Sequence, residues 1–448
     1  MPDVRISSGS AHAYSSFSHI DMTKKASYIT LGCKLNYAET STYERGFMKE
    51  GYESVPWSEK ADLYVINTCS VTEHADRKSR NIIRKIHRTA PDATVIVTGC
   101  YAQLKRAEVE SIEGVGLVFG ANEKGSLVKT TLEFIDGRNV IRGNANVNDA
   151  VTFAAYSSGE ERTRSFLKVQ DGCDNFCAYC TVPFARGRSR SISIAEAVEE
   201  AKRIAASGVR EIVLTGVNTG DFGRKSGESF LDLLKALNEV EGIERYRISS
   251  IEPNLLTDEI VDWIASGTKF QPHFHIPLQS GSDTLLKDVG RKYSTEFFAS
   301  KIDYIREKMN PKPGDGSGRP DVFFGIDVIA GLPGETDELF METYNFLKDR
   351  VKPAFIHIFP YSRRAGTRSA ARKDQVQDCV KTKRVAMLEE LCKSLNEEFI
   401  ASQKGVKERV LFEESNNGGM MSGYTGNYIK VERPWDEKLA GQIVEVTL

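Results

Sequence analysis

The chain has 448 residues, of which 40% are hydrophobic and 27% charged, and its formal net charge is only −2. This length predicts about three globular domains. The balanced charge excludes a uniformly basic nucleic-acid binder, so any nucleic-acid site must come from local basic patches. No apolar run approaches the ~18–20 residues of a membrane span, and no apolar signal segment is present near the start. The eight cysteines do not indicate a secreted disulfide scaffold, and their grouping favours a reducing, cytoplasmic compartment.

Residues 1–24 show little periodicity and are expected to form a flexible leader. Over residues 25–150, strand-like runs alternate with helical patterns, which predicts a domain with an open parallel α/β sheet. The predicted strands 28–32, 63–68 and 94–99 each end at a cysteine, namely Cys33, Cys69 and Cys100. Because the carboxyl ends of parallel strands line one crevice, these thiols should converge. They suit a cubane iron–sulfur cluster with one open iron, the alternative being ordinary buried cysteines.

A second set of three cysteines lies in the predicted central domain, residues 159–395. Cys173, Cys177 and Cys180 follow the apolar run 166–169 with the spacing C-x3-C-x2-C. Each thiolate can bind one iron of a cubane cluster, and because no fourth cysteine follows nearby, one iron stays free for another ligand. The spacing differs from that of zinc ribbons, and no nearby histidine completes a tetrahedral zinc site. Unligated buried thiols are the remaining alternative.

The rest of the central domain predicts six β–α units, hence an open partial (βα)6 barrel whose chemistry lies at the carboxyl ends of its strands. The later strands are expected at 211–215, 245–249, 273–278, 323–329 and 355–359. The loops after these strands carry residues that suit a nucleoside-containing cofactor: Gly216, Asn218, Ser250, Glu252 and Gly331. A glycine such as Gly331 lets the backbone approach a flat ligand closely. Ordinary turn chemistry explains each of these residues taken singly.

Two basic segments are candidates for contact with phosphate groups. A helix after residue 74 carries Arg77, Lys78 and Arg80, although a plain solvated helix face is an equal alternative. The loop after the second cysteine set carries Arg186, Arg188 and Arg190, whose guanidinium forks suit phosphate or carboxylate.

Two further pairs of residues are expected to be structural. His273 and His275 point to one face of a predicted strand, where a metal site is conceivable but core or lining histidines are the expected state. Cys379 and Cys392 lie in a helical stretch without further ligands.

The tail, residues 396–448, changes to short β-rich runs and predicts a small antiparallel β-barrel. Its β-rich runs are expected at 410–413, 424–431 and 442–447, with turns at 416–419 and 425–427. The tail offers a candidate stacking and phosphate surface for RNA, made of Tyr424, Tyr428, Lys430 and Arg433. A purely structural β-module is the alternative.

With these segments placed, the chain resembles the methylthiotransferases of the radical S-adenosylmethionine (SAM) superfamily. The resemblance rests on five motifs: LGCKLN at 31–36, NTC at 67–69, TGC at 98–100, CDNFCAYC at 173–180 and HIPLQSG at 275–281. The tail is similar to the family's RNA-binding TRAM domain, although it is rather short. Residues 33–36 and 248–253 most resemble the branch that modifies N6-threonylcarbamoyladenosine in tRNA.

The resemblance implies two [4Fe-4S] clusters and SAM as cofactors. Cys173, Cys177 and Cys180 would hold the cluster whose free iron binds SAM, and Cys33, Cys69 and Cys100 an auxiliary cluster that carries the sulfur. The remaining SAM contacts implied are Tyr179 near the adenine, Gly216 and Asn218 near the methionine part, and Ser250 and Glu252 near the ribose, with Gly331 also in the cofactor site.

The implied reaction replaces the hydrogen at C2 of N6-threonylcarbamoyladenosine, at position 37 of tRNA, with a methylthio group. Reductive cleavage of one SAM gives a 5′-deoxyadenosyl radical that takes the hydrogen, and a second SAM methylates the sulfur. The scheme needs no side-chain general base. The implied partners are the anticodon loop of tRNA, whose unstacked bases can enter a pocket, and an electron donor such as flavodoxin or ferredoxin.

Three alternatives stay open at this stage. The same chemistry could act on isopentenyladenosine at position 37 of tRNA or on an aspartate of a ribosomal protein. A third possibility is an RNA-binding iron–sulfur sensor without turnover.

Overall fold

The structure, a computed structural model, describes residues 24–138, 153, 156–158, 163–310 and 322–448. The expected leader, apart from Lys24, and residues 139–150 of the expected first domain lie outside the described residues. None of the helices in the described ranges combines the length and apolar character needed to cross a membrane.

The first unit is an α/β domain. Its strands are β1 (Lys25–Thr30), β2 (Glu53–Ser54), β3 (Leu63–Thr68), β4 (Thr94–Gly99) and β5 (Val115–Val118). Its helices are α1 (Lys34–Lys49), α2 (Glu73–Thr89), α3 (Cys100–Leu104), α4 (Arg106–Glu110) and α5 (Leu127–Ile135). The strands form one parallel sheet in the order β2-β1-β3-β4-β5, with β3 buried along its whole length. Burial on both faces is typical of a parallel sheet that is covered by helices.

The second unit contains the six parallel strands that the sequence predicts. All its strands are β6 (Tyr156–Ser157), β7 (Arg164–Lys168), β8 (Gln170–Asp171), β9 (Arg190–Ser191), β10 (Glu211–Thr215), β11 (Arg245–Ile248), β12 (His273–Gln279), β13 (Phe323–Ala330) and β14 (Phe355–Pro360). They form sheets in the orders β11-β10-β7-β6 and β12-β13-β14, and β8 pairs with β9 in a small separate ladder. An isolated bridge between Tyr246 of β11 and Phe270, three residues before β12, places the two large sheets side by side, as an open, partial barrel requires.

Nine α-helices accompany these strands within the described ranges. They are α6 (Val182–Arg186), α7 (Ile194–Ala206), α8 (Phe230–Asn238), α9 (Asp258–Ala265), α10 (Asp283–Asp288), α11 (Thr295–Met309), α12 (Asp337–Asn345), α13 (Arg368–Ala371) and α14 (Asp378–Ser402). Six of them begin at a serine or threonine that accepts a backbone N–H of the first turn: Ser193, Ser229, Thr257, Ser294, Thr336 and Thr367. Such caps satisfy donors that would otherwise lack a partner at a helix start.

Side chains along each barrel strand point alternately into the hydrophobic core and into the interior of the barrel, here called the lumen. On β12, Phe274 and Ile276 pack into the main hydrophobic core with Ile326 of β13 and Ile356 of β14. Successive strand residues point to opposite faces, so the residues between them face the barrel interior. On the neighbouring strands this places charged and polar side chains in the lumen: Glu211, Arg245, Arg247, His273, His275, Asp327 and His357.

The third unit is an antiparallel sheet that follows the long helix α14. Its strands are β15 (Lys407–Phe412), β16 (Met420–Thr425), β17 (Lys430–Pro434) and β18 (Ile443–Thr447), in the order β17-β16-β15-β18. The β-rich run expected over 424–431 is divided by a turn near the expected position 425–427, and Tyr428 at φ 66° lies in the turn between β16 and β17. Helix α14 ends at Ser402, and the tail sheet begins at Lys407.

A buried charge network joins the first unit to the barrel. Glu39 of α1 is fully buried and pairs with Lys124 at 2.6 Å, Lys168 at 2.7 Å and Arg186 at 3.1 Å. Burial by itself would raise the pKa of Glu39, but these three cations outweigh it and hold the pKa well below its usual value. The carboxylate is therefore ionised and ties α1 of the first unit to β7 and α6 of the second.

A second contact between these units lies next to Cys69. Arg364 donates to the hydroxyl of Ser70 at 2.6 Å and to the carboxylate of Asp76 at 2.9 Å. Ser70 in turn donates to Asp76 at 2.7 Å. The segment that follows Cys69 is therefore held by the barrel as well as by its own domain.

Replacing Glu39 with glutamine should strongly destabilise the fold, because it leaves buried cations without their counter-charge. We expect a loss of about 3–5 kcal/mol at pH 7, measured by urea unfolding of the anaerobically purified protein. A carboxylate with a lowered pKa stabilises the fold above its unfolded pKa of about 4.3, and this stabilisation is lost as the pH falls from there toward the folded pKa. The difference between wild type and Glu39→Gln should therefore shrink at pH 4.

The matched control is Glu50→Gln, at the exposed end of the same helix, which should change stability little. Equal stability of Glu39→Gln and wild type at pH 7 would contradict the importance of this network.

Candidate functional site

The structure brings Cys33, Cys69 and Cys100 together at the carboxyl edge of the first sheet. Cys33 caps α1 directly after β1, Cys69 follows β3, and Cys100 is the first residue of α3 after β4. The charges that these thiols would carry interact with one another. Burial raises the pKa of Cys69 to about 11, with a further contribution from Cys100, and burial also raises the pKa of Cys100.

Two glycines make this approach of three chain segments possible. Gly32 has φ +98°, and a Cβ placed on it would lie 2.8 Å from the Sγ atom of Cys69. Gly99 has φ +97°, and a Cβ there would lie 2.3 Å from the carbonyl oxygen of Thr68. Both positions therefore require glycine for backbone conformation and for space.

The second set, Cys173, Cys177 and Cys180, lies in the loop between β8 and α6. Backbone N–H groups of Asn175 and Val182 donate to the sulfurs of Cys173 and Cys180, at 3.5 and 3.4 Å. Burial raises the pKa of Cys173 to about 11 and that of Cys180 to about 12. N–H donors aimed at sulfur favour thiolate once a metal supplies the opposing charge.

The donor sets fit iron–sulfur clusters better than single zinc ions. In the described chain, the three sulfurs of neither set all lie within 4.8 Å of one another. A zinc ion with Zn–S bonds of about 2.3 Å would need them closer than that. Around the first set, the buried cations Lys124, Lys168, Arg186 and Arg190 outnumber the buried carboxylates Glu39 and Asp171, which suits an anionic thiolate cluster.

The predicted cofactor loops assemble beside the second cysteine set. The backbone N–H of Glu252 bonds Asn218 Oδ1 at 3.2 Å, and the N–H of Asn218 bonds Gln170 at 3.0 Å. The carbonyl of Ser250 accepts hydrogen bonds from Thr219. A Cβ at Gly216 would lie 2.9 Å from Gln170, so this glycine lets two strand ends approach each other. The Glu252 carboxylate also lies close enough to interact with Cys173.

Tyr179 lies in a small apolar cluster with Ala178, Val289, Ile329 and Leu332. Burial raises the pKa of Tyr179 well above its usual value, although the charge of Arg291 opposes this shift. The phenol is therefore neutral and adds an aromatic wall beside the cysteine loop.

Arg291 is a site residue that the sequence did not reveal. Its guanidinium donates to Cys177 Sγ at 3.4 Å and pairs with Glu252 at 2.5 Å. It also bonds the Tyr293 hydroxyl at 2.9 Å. Arg291 joins the cysteine loop to the loop after β11. No motif signals this role, because Cys177 and Arg291 are 114 residues apart.

Two predicted roles need correction. Arg186 was expected to contact substrate, but it is only 3% exposed and pairs with Glu39 and Asp171 while donating to the Asn36 side chain. It therefore links the two cysteine sets and has no accessible face for phosphate. Gly331 was expected to admit a flat ligand, but its φ is +82° and a Cβ there would lie 2.4 Å from Lys381. The turn and the Lys381 side chain account for this glycine.

The other predicted substrate residues differ in accessibility. Four of them are exposed: Arg77, Lys78, Arg188 and Lys430. Lys430 donates a hydrogen bond to Glu432, and the Arg188 guanidinium lies over the Phe176 ring. Arg80 is mostly buried between Glu73 and Glu108, so it stabilises α2 and is not a free cation.

The expected stacking surface on the tail also needs correction, because Tyr424 and Tyr428 face the barrel. Arg164 lies over both rings, at 4.6 and 5.7 Å from their centroids, and Tyr428 packs on His273.

Cys392 is buried and accepts the Ile356 N–H, as a structural thiol does, and Cys379 is exposed.

Comparisons with known proteins agree with this architecture. Residues 25–120 match the family described as Uncharacterized protein family UPF0004, and residues 167–347 match the Radical SAM superfamily. The radical SAM methyltransferase TsrM of Kitasatospora setae has a similar fold, with a TM-score of 0.56 over 78% of this chain and 75% of that chain, at 16% identity. The fold and the two matched regions define a radical SAM protein with an N-terminal UPF0004 domain, as the motifs indicated.

The relatives at higher identity specify the family. The threonylcarbamoyladenosine tRNA methylthiotransferase MtaB of Bacillus subtilis is 40% identical over 94% of this chain and 92% of its own length. That of Aquifex aeolicus is 37% identical over 95% of this chain and 100% of its own length. The tRNA-2-methylthio-N(6)-dimethylallyladenosine synthase of Carboxydothermus hydrogenoformans is 31% identical over 95% and 97%. The chain belongs to the family of threonylcarbamoyladenosine tRNA methylthiotransferases.

The raised thiol pKa values predict unequal reactivity in protein stripped of iron. Because the thiolate is the reactive form, its fraction falls about tenfold for each unit of pKa, and burial also limits access. At pH 8 we expect iodoacetamide to modify exposed Cys379 at least about a hundredfold faster than Cys180. Mass spectrometry of timed samples measures both rates. In 6 M urea the two rates should become similar, and similar rates in the folded protein would contradict the prediction.

Proposed function

We propose that this protein catalyses methylthiolation of C2 of N6-threonylcarbamoyladenosine at position 37 of tRNA. The observation that carries the proposal is the position of two three-cysteine sets on either side of one buried arginine. Arg186 follows the Cys173–Cys180 loop, and its charge interacts with Cys33 and Cys100. One set belongs to the radical SAM barrel and the other to the edge where open parallel sheets bind ligands.

In this proposal Cys173, Cys177 and Cys180 hold the [4Fe-4S] cluster that binds SAM, and Cys33, Cys69 and Cys100 hold the auxiliary cluster. When bound, the clusters and SAM supply one-electron cleavage of the sulfonium and the sulfur for transfer. Asn218, Ser250 and Glu252 contact SAM at the strand ends.

The protein's own residues position the cysteine and cofactor loops and keep water away from them. Arg291 donates to Cys177 Sγ and to the Glu252 carboxylate, so that one side chain aligns the cysteine loop with a cofactor loop. Tyr179 and its apolar neighbours exclude water from the same side. Arg186 and Lys124 offset negative charge at the first cysteine set.

The tRNA approaches, in this proposal, along the exposed cations Arg77, Lys78 and Arg188. Phe184, which is 48% exposed beside the cysteine loop, offers a ring on which a base can stack. Such contacts position the anticodon loop, whose bases can be splayed into a pocket. A flavodoxin or ferredoxin supplies the electrons.

The proposed ligand sets are tested by iron content. Reconstituted wild type should hold about eight irons per chain, and a Cys173/Cys177/Cys180→Ala triple variant about four. Iron and sulfide analysis with electron paramagnetic resonance of the reduced proteins measures this. A Cys379→Ala variant serves as the control and should keep the wild-type value. Complete loss of iron in the triple variant, while the protein stays folded, would contradict an independent cluster at Cys33, Cys69 and Cys100.

The proposed activity is tested with defined tRNA anticodon stem-loops. With SAM and a reductant, wild type should form 5′-deoxyadenosine and the 2-methylthio product on the stem-loop that carries threonylcarbamoyladenosine. The Cys173/Cys177/Cys180→Ala variant should form neither, because the radical source is lost. Liquid chromatography with mass spectrometry of nucleosides measures both products. Product on an isopentenyladenosine stem-loop, with none on the threonylcarbamoyl stem-loop, would refute the proposal.

A further inference from the structure

A polar cluster on the lumen side of β12, β13 and β14 has no role in the scheme above. His275 Nε2 lies 2.6 Å from Asp327 Oδ1, and the rings of His275 and His357 stack with their centroids 4.7 Å apart. It is the one place in the described residues where three potential metal ligands lie within 4.8 Å of one another. All three side chains are partly exposed, so they line space that a ligand can enter.

A cation from a different domain reaches this cluster. Lys34, in the first turn of α1, interacts electrostatically with Asp327 and His357 and with Tyr428 of the tail. Within the described chain, Lys34 makes no hydrogen bond or ion pair that would neutralise its ammonium group. Other lumen cations are paired: Arg247 lies 2.7 Å from Glu211, and Arg164 lies 3.0 Å from Glu413.

The local charge favours an anion over a metal ion. The basic groups Lys34, Arg164, Arg245 and Arg247 outnumber the carboxylates Glu211, Asp327 and Glu413 by one, although burial lowers the pKa of Lys34. Asp327 and His275 already satisfy each other through a short hydrogen bond. A divalent cation would have to break that bond beside an excess of positive charge.

The cluster is reached from the open edge of the barrel. β14 is the last strand of its sheet, and Phe355 and Phe359 on the face of His357 are 39% and 46% exposed. Gly325 of β13 has no side chain, and a Cβ there would lie 3.6 Å from His357 Nε2. The barrel interior is therefore accessible beside His357, and the exposed rings of Phe355 and Phe359 on either side can stack with a base.

We propose that Lys34 and His357 bind the carboxylate of the threonylcarbamoyl group of the substrate, with His275 and Asp327 as positioning residues. The assignment rests on the proposed function. An N6-dimethylallyl group, named in the C. hydrogenoformans relative, is apolar and lacks this carboxylate. An unpaired ammonium and an imidazole N–H recognise a carboxylate through charge-assisted hydrogen bonds, and they leave polar groups unpaired when it is missing. The cluster therefore selects among substituents of the same adenine.

The test compares two anticodon stem-loops, one with threonylcarbamoyladenosine and one with the same group as its uncharged methyl ester. Wild-type holoenzyme should bind the acid about ten- to a hundredfold more tightly than the ester and show a similar ratio of kcat/KM, mainly through KM. Lys34→Met should lose this preference by weakening binding of the acid, with little effect on the ester. His357→Phe keeps the stacked ring, removes the N–H and should reduce the preference in the same direction.

Lys49→Met, at the exposed end of the same helix, is the matched control and should keep the wild-type preference. His357 lies in the barrel, far in sequence from Cys33, so its effect separates substrate recognition from damage to the first cysteine set. Equal weakening of acid and ester by Lys34→Met would overturn the assignment. One equivalent of zinc or iron in wild type that is absent from His357→Phe would also overturn it, in favour of a metal site.

Failure of the proposed function is distinguishable from failure of this site. The former appears as no methylthio product from wild type on either stem-loop. The latter appears as equal dissociation constants of wild type for acid and ester, which equilibrium binding measures without turnover.

Discussion

The two buried carboxylates Glu39 and Asp171 hold the candidate site together. Glu39 comes from the first domain and Asp171 directly precedes the radical SAM cysteine loop, and both pair with Lys168 and Arg186. Neither carboxylate could be buried alone, and neither could the cations, since an unpaired charge costs several kcal/mol on transfer from water. The domains must therefore dock in one arrangement, in which the two cysteine sets are neighbours.

The strands that carry the cysteines were predictable because the information is local. A parallel sheet places its strand ends at one edge, so Cys33, Cys69 and Cys100 converge wherever those strands form. The loops after β10 and β11 were found for the same reason. The charge network was not predictable, because Glu39 pairs with Lys168 and Arg186 across 129 and 147 residues of sequence. No local pattern distinguishes Glu39 from a solvated helix residue.

The errors at Arg186 and Tyr428 share a physical cause, since each treated a polar side chain as exposed. Arg186 follows a reactive loop and Tyr428 lies in a turn, and both positions are usually solvated. Docking of a neighbouring unit buries them: α1 covers Arg186, and the barrel covers Tyr428. Arg291 was missed for the converse reason, because a single arginine in a loop gives no signal until its partners are known. Composition and periodicity describe elements well and the contacts between units poorly.

Arg245 and Arg247 give the chain a particular order of assembly during synthesis. Their guanidinium groups donate to backbone carbonyls of the tail, Arg247 reaching Gly426 across 179 residues. A ribosome that adds about 5–20 residues per second needs roughly 10–40 seconds to make that stretch. Until then Glu211 of the barrel is their carboxylate partner, and the tail carbonyls that they bond in the finished protein do not yet exist. The nascent barrel therefore stays hydrated at that end, and only the last strands of the chain close it.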